Sequence, residues 1–194
     1  MAHSHVLGET NGPLDARVLF VAEAVGRRGG AVTGVPLTRD ESGKRFARFL
    51  ELAGLRREEV FVTNAVLCNP LDAEGRNRPP TPGEVARCRP FLARTLDAVS
   101  ARIVVALGRV ALESLRASAP HEADLPCDVA TAIDWHGRVL VPMYHPSRQS
   151  TLHRGQTAQN DDWRRLGELL QTTIQRSNIQ HLTSNEPPRY HKGA

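Results

Sequence analysis

Four apolar runs constrain this chain more than anything else in it. Val18-Leu19-Phe20-Val21-Ala22, Val60-Phe61-Val62, Ile103-Val104-Val105-Ala106-Leu107 and Val139-Leu140-Val141 contain no polar residue. A strand with one wet face alternates polar and apolar residues, whereas a strand covered on both faces does not. The segments between the runs have helical spacing. Phe46, Phe49, Leu50 and Leu52 recur over residues 42–53, and Gly54 closes that segment. Thr81-Pro82-Gly83-Glu84 is a capping box with proline at the first helical position, ahead of Cys88, Phe91, Leu92 and Leu96. Arg109 to Ala117 follows the third run directly, and Leu166, Leu169, Leu170 and Ile174 stripe a last helix over residues 161–174. Strand alternating with helix predicts an α/β fold of three layers, α/β/α, with a central, mainly parallel, four-stranded sheet and helices on both faces. His136-Gly137, between residues 131–135 and 138–143, reads as a hairpin turn. A length of 194 residues suits one domain, expected over residues 15–175, with a loose arm at 1–14 and a disordered tail at 176–194.

Several classes are set aside. No apolar stretch reaches the ~18 residues of a membrane span, and Met1-Ala2-His3-Ser4-His5 lacks the basic start and apolar core of a signal peptide. The expected location is the cytoplasm. Cys68, Cys88 and Cys127 form no Cys-x-x-Cys, and an odd count argues against a disulfide framework. The net charge is only +4, but Lys44 and Lys192 are the only lysines among 25 basic residues. Arginine suits bidentate phosphate contacts, which makes nucleic acid a candidate partner; arginine-biased codon usage would give the same composition.

The strand ends carry the chemistry. The first run leads into Glu23, the second through Thr63 into Asn64, and the last into Tyr144-His145-Pro146. In an open α/β sheet, ligands bind beyond the carboxyl ends of the strands. If these strands lie side by side, a carboxylate, an amide and an imidazole converge on one crevice. Glu23 can orient or deprotonate a water. Asn64 offers a donor and an acceptor side by side, matching the edge of an amide-like ring. His145 can donate to an oxygen that gains charge as a bond breaks. Gly26-Arg27-Arg28-Gly29-Gly30 lets main chain approach a ligand but is neither GxGxxG nor a P-loop, and a nucleotide cofactor has no support. The proline-rich stretch from Cys68 to Pro82 is long for a connection in a compact domain, a mark of functional loops.

Taken in order, these segments resemble the uracil-DNA glycosylase superfamily, family 4 most of all, from about Ala16 to Arg165. Ala22-Glu23-Ala24-Val25-Gly26 resembles that family's Gly-Glu-Ala-Pro-Gly. Thr63-Asn64, with Leu67-Cys68-Asn69-Pro70 after it, resembles its Thr-Asn strand and following Lys-Cys-Arg-Pro. Residues 102–112 resemble its Leu-Gly-x-x-Ala segment, and His145-Pro146-Ser147 matches its last motif. The resemblance implies a monomeric, monofunctional glycosylase of base excision repair. Its substrate would be DNA containing uracil, flipped out of the stack and hydrolysed at the N-glycosidic bond to leave an abasic site. Carried over, Glu23 would place the water and His145 would stabilise charge on the departing base. Asn64 would read the uracil edge, and Ala24, Gly26 and Leu37 would line its pocket. Arg27 and Arg28 would contact DNA, as would Ser147, Arg148 and Gln149 on the loop that wedges into the duplex.

The departures are specific. Ala22 and Val25 replace a Gly and a Pro, and Leu37 is the nearest match to a Phe that stacks on the base. Asp40 and Glu41 are alternative carboxylates for the water. The family holds an iron–sulfur cluster on four cysteines. Cys68 and Cys88 match two of them, the N-terminal Cys-x-x-Cys has no counterpart, and we expect no metal and no cofactor. Three alternatives stay open: a glycosylase for hypoxanthine or xanthine, a DNA-binding relative without catalysis, and an unrelated small-molecule α/β enzyme.

Overall fold

The computed structural model describes residues 7–184, with side chains to residue 173. In chain order the elements are β1 (Val18–Ala24), α1 (Gly30–Thr33), α2 (Glu41–Leu52), β2 (Val60–Val66), α3 (Pro82–Ala98), β3 (Ile103–Leu107), α4 (Arg109–Ser118), β4 (Ile133–Trp135), β5 (Arg138–Met143) and α5 (Gln156–Ser184). The sheet order is β2-β1-β3-β5-β4. The first four strands are mutually parallel, and β4 runs antiparallel to β5. The expected four-stranded sheet is therefore five-stranded. The hairpin adds its first arm as a short edge, turned by His136 and Gly137, both at positive φ (49° and 73°) as a two-residue hairpin turn requires.

The apolar runs are covered on both faces as their composition demands. Every residue of β2 and of β3 is buried. On one face, Trp163 of α5 stacks on Phe20 of β1 and Phe49 of α2, with ring centroids 5.6 and 5.1 Å away, and Phe46 meets it edge-on. This aromatic group joins α2 and α5 to each other and to the sheet. On the other face α3 and α4 seat Leu92, Leu112 and Leu115. The capping box at α3 is formed, with Thr81 N donating to Glu84 Oε2 at 2.7 Å and Glu84 N to Thr81 Oγ1 at 3.3 Å. No helix among the described residues is long and apolar enough to cross a membrane.

Three local expectations give way. Residues from Gly8 onward are docked rather than loose. Asn11 is fully buried, and its Nδ2 donates to Val62 O at 2.6 Å. Arg57 grips the carbonyls of Thr10 and Asn11 at 3.1 and 3.2 Å. β2 is an edge strand with free backbone polar groups, and this segment satisfies one of them. Residues 1–6 lie outside the described residues. The last helix runs to Ser184, ten residues past the end expected at Ile174, so the tail assigned to 176–194 starts inside it; residues 185–194 lie outside the described residues. Phe91, expected on the apolar side of α3, is 45% exposed, with Leu92 turned inward instead.

Candidate active site

β1, β2 and β5 all stop at the same side of the sheet, because they are parallel and in register: Ala22 pairs with Asn64, and Leu107 of β3 with Met143. A cavity of about 260 Å³ lies beyond these ends. Glu23, Asn64 and His145 all line it, and so do Ala24, Gly26, Leu37, Ser147 and Gln149. The remaining candidates lie elsewhere. Arg27 and Arg28 line a more open groove with Arg39, Lys44 and Arg76. Asp40, Ser42 and Asn77 belong to both, so the basic groove leads into the crevice. Arg148 is exposed on the loop and lines neither.

The polar groups of the crevice are poised rather than spent. Among the described residues, the side chains of Glu23, Asn64 and His145 make no hydrogen bond to protein. Asn64 is only 3% exposed, so a donor and an acceptor stand free in a nearly dry wall. Burial raises the Glu23 carboxyl above its usual range, which makes it a stronger base. Desolvation pushes His145 down to about 4, leaving a neutral imidazole with one N–H donor at neutral pH.

Asp40 has a structural task as well. Its Oδ1 accepts from Gly43 N at 2.9 Å as the N-cap of α2. Its carboxylate lies against the glycine loop, where a Cβ at Gly26 would sit 2.8 Å from Oδ2. That contact is the local reason for glycine there. Glu41 is exposed and lines only the outer groove, so Glu23 and Asp40 are the carboxylates at the crevice itself.

Several lining residues escape a reading of the sequence. Asn69 Nδ2 donates to Val25 O at 2.6 Å and to Asn77 Oδ1 at 3.2 Å, and Asn77 Oδ1 also accepts from Arg27 N. The long proline-rich loop is thereby tied to the glycine loop across the crevice. Arg78 forks onto Glu84 at 2.8 and 2.7 Å, and holds that carboxyl down to about 2. The length of the proline-rich loop from Cys68 to Pro82 was the available signal for all three, and nothing in sequence singles out Asn69, Asn77 or Arg78 within it.

Cys68 and Cys88 are half-buried, and Cys127 is exposed. Burial raises the Cys68 thiol and charge on nearby Cys88 adds to it, which makes these two neighbours. A four-iron cluster takes four thiolates. Among the described residues no group of three or more His, Cys, Asp or Glu is arranged to hold a metal ion, so Cys68 and Cys88 there supply two of four ligands. His3 and His5 lie outside the described residues.

Residues 9–167 match the sequence model of the uracil DNA glycosylase superfamily, a span that takes in Glu23, Asn64 and His145. The chain is 33% identical over 165 residues to the type-4 uracil-DNA glycosylase of Archaeoglobus fulgidus, covering 79% of this chain and 77% of that protein. It is 35% identical over 143 residues to the type-4 uracil-DNA glycosylase of Thermotoga maritima, covering 73% and 69%. A type-5 uracil-DNA glycosylase from Thermus thermophilus is 35% identical over 162 residues, covering 72% and 68%. With the motifs in order, the strand ends in register and a family match across most of its length, the chain belongs to the uracil-DNA glycosylase superfamily.

Proposed function

We propose that this protein is a monomeric, monofunctional uracil-DNA glycosylase that hydrolyses the N-glycosidic bond of uracil in DNA. The observation that carries the reading is the convergence of Glu23, Asn64 and His145, each with free hydrogen-bonding capacity, on one cavity of about 260 Å³. That is below the roughly 300–1,000 Å³ of pockets for drug-sized ligands and suits a single flipped pyrimidine. The adjoining groove, with Arg27, Arg28, Arg39, Lys44 and Arg76, offers cations to the phosphates on either side.

The geometry supports the following roles. Asn64 Oδ1 accepts the ring N–H of uracil while Nδ2 donates to the adjacent carbonyl. The bond from the sugar C1′ to the base nitrogen breaks, and its electron pair leaves with the base. The neutral His145 imidazole donates its N–H to the uracil oxygen on which that charge gathers, without first giving up a proton. Glu23 accepts a proton from the water that attacks C1′, yielding an abasic site and the uracil anion, which takes a proton from solvent as Glu23 releases one. A lyase step would need an amine nucleophile. Among the described residues no lysine lines the crevice, and Lys44 faces the outer groove, which supports the monofunctional reading.

One observation favours a second reading. Leu37 lines the crevice where the resemblance calls for a stacking ring, and a shorter aliphatic wall leaves more room for a two-ring base such as hypoxanthine. Incubating labelled strands carrying one uracil, hypoxanthine or xanthine, single- and double-stranded, decides between them. The expected result is cleavage of the uracil strand only after alkali. Cleavage of the purine strands alone would establish the second reading. Binding of all strands without cleavage would identify a DNA-binding relative and sink both.

A further inference from the structure

From Pro146 to Gln149, beyond bonds within the turn, the only hydrogen bond to another element among the described residues is from Arg45 Nε to Pro146 O, at 3.1 Å. Arg45 stands on α2, 101 positions away in sequence. Its Nη1 donates to Gln156 Oε1 at 2.5 Å and its Nη2 to Gln159 Oε1 at 3.1 Å, both on α5. Gln159 is 2% exposed, and its Nε2 donates onward to Ser150 Oγ at 3.2 Å and Arg154 O at 2.6 Å. Ser150 Oγ then donates to Ser147 O at 2.7 Å. The carbonyls of the two residues directly after His145 are thus held by one partly buried polar network running from α2 to α5. The same two helices are already joined by the Trp163 aromatic group, so the network is not what keeps them together.

We propose that Arg45 and Gln159 are positioning residues for His145: through the carbonyls of Pro146 and Ser147 they fix where the imidazole stands in the crevice. The proposal rests on the role given to His145 above. A misplacement on the order of 1 Å costs about 100-fold in rate, and among the described residues this network holds the only main-chain hydrogen bond from Pro146–Gln149 to another element. A residue that acts only through His145 has no effect once the imidazole is gone, whereas a merely stabilising residue does.

The test sets Arg45→Ala, Arg45→Lys and Gln159→Met in the wild-type and His145→Gln backgrounds. Single-turnover cleavage of a uracil strand, affinity for uncleaved DNA, and hydrogen exchange over residues 144–152 are measured for each. Arg45→Ala and Gln159→Met are expected to slow cleavage by about 10- to 100-fold with DNA affinity within about threefold of wild type. Arg45→Lys recovers part of the rate, neither loss appears in the His145→Gln background, and exchange over 144–152 rises. Gln159→Met conserves charge and volume, so it carries the test if Arg45→Ala does not fold. The same fold-loss in both backgrounds, or unchanged exchange, overturns the proposal. Wild-type protein that cleaves no strand refutes the glycosylase reading instead, and exchange alone then decides whether the clamp holds the loop.

Discussion

His145 ties the electrostatics of the crevice to a quantity that can be measured without any substrate. Its imidazole is desolvated, and its pKa falls from the ordinary 6.5 to about 4. A folded-state pKa below the unfolded one means that the unfolded chain binds more protons between those values. Stability is therefore full above about pH 6.5, falls as pH drops toward 4, and falls no further through this group below that. For these two values, linkage gives a loss of about 2 kcal/mol between about pH 7 and pH 5. In a chain of this size that is a Tm drop of about 4–8 °C. Replacing His145 with Gln keeps an N–H donor and removes the titration. The assay is urea or thermal unfolding of both proteins at both pH values. His121 is buried and shifted the same way, and it remains in both, so only the difference between proteins counts. Wild type is expected to lose about 2 kcal/mol more than His145→Gln. Equal losses would mean that the imidazole is well solvated. It would then be partly charged near neutral pH, and the neutral-donor role would fall with it.

Three further outcomes follow from the same geometry. Glu23→Gln keeps the shape but cannot accept a proton, and single-turnover cleavage should fall by about 100-fold or more. With its carboxyl raised by burial, the wild-type rate should decline in acid at a pH above that of an ordinary glutamate; an acid limb at the ordinary value would exclude Glu23 as the base. Asn64→Ala should lower uracil cleavage and narrow the gap between uracil and hypoxanthine strands, and an unchanged ratio of the two rates would remove it from base reading. Arg27→Gln and Arg28→Gln line the outer groove, and each should reduce the salt slope of DNA binding by about 1; titration at several salt concentrations reads this, and an unchanged slope moves the DNA path elsewhere.

The sequence displayed this fold because its strands are buried on both faces. A continuous apolar run such as residues 103–107 admits few other placements, and the capping box at Thr81 fixes a helix start by local chemistry alone. Strand ends are local too, which is why Glu23, Asn64 and His145 could be picked out before any coordinates. What stayed hidden depends on contacts distant in sequence. Asn11 lies beneath an edge strand 51 positions away, and Arg45 reaches α5 across 111 and 114 positions. Neither has a periodic or motif signal, since a buried hydrogen bond needs only one partner in the right place. The helical stretch beyond Ile174 was equally opaque, its polar composition resembling that of a solvated tail.

The sheet order keeps His145 apart from the first motif. β1 connects to β2 on one side, and the chain then crosses to β3 on the other, so the crevice opens where the connections part. His145 comes from β5, which is not a neighbour of β1, and β3 stands between them. β3 ends in Gly108 at φ 95°, whose N–H donates to Met143 O at 2.8 Å. A Cβ there would lie 3.4 Å from His145 Cβ. That spacing is ordinary van der Waals contact, so it is the positive φ at the end of the intervening strand, beside His145, that calls for glycine. Ala22 and Val25 differ from the motif they resemble, and Glu23, Asn64 and His145 still line one cavity.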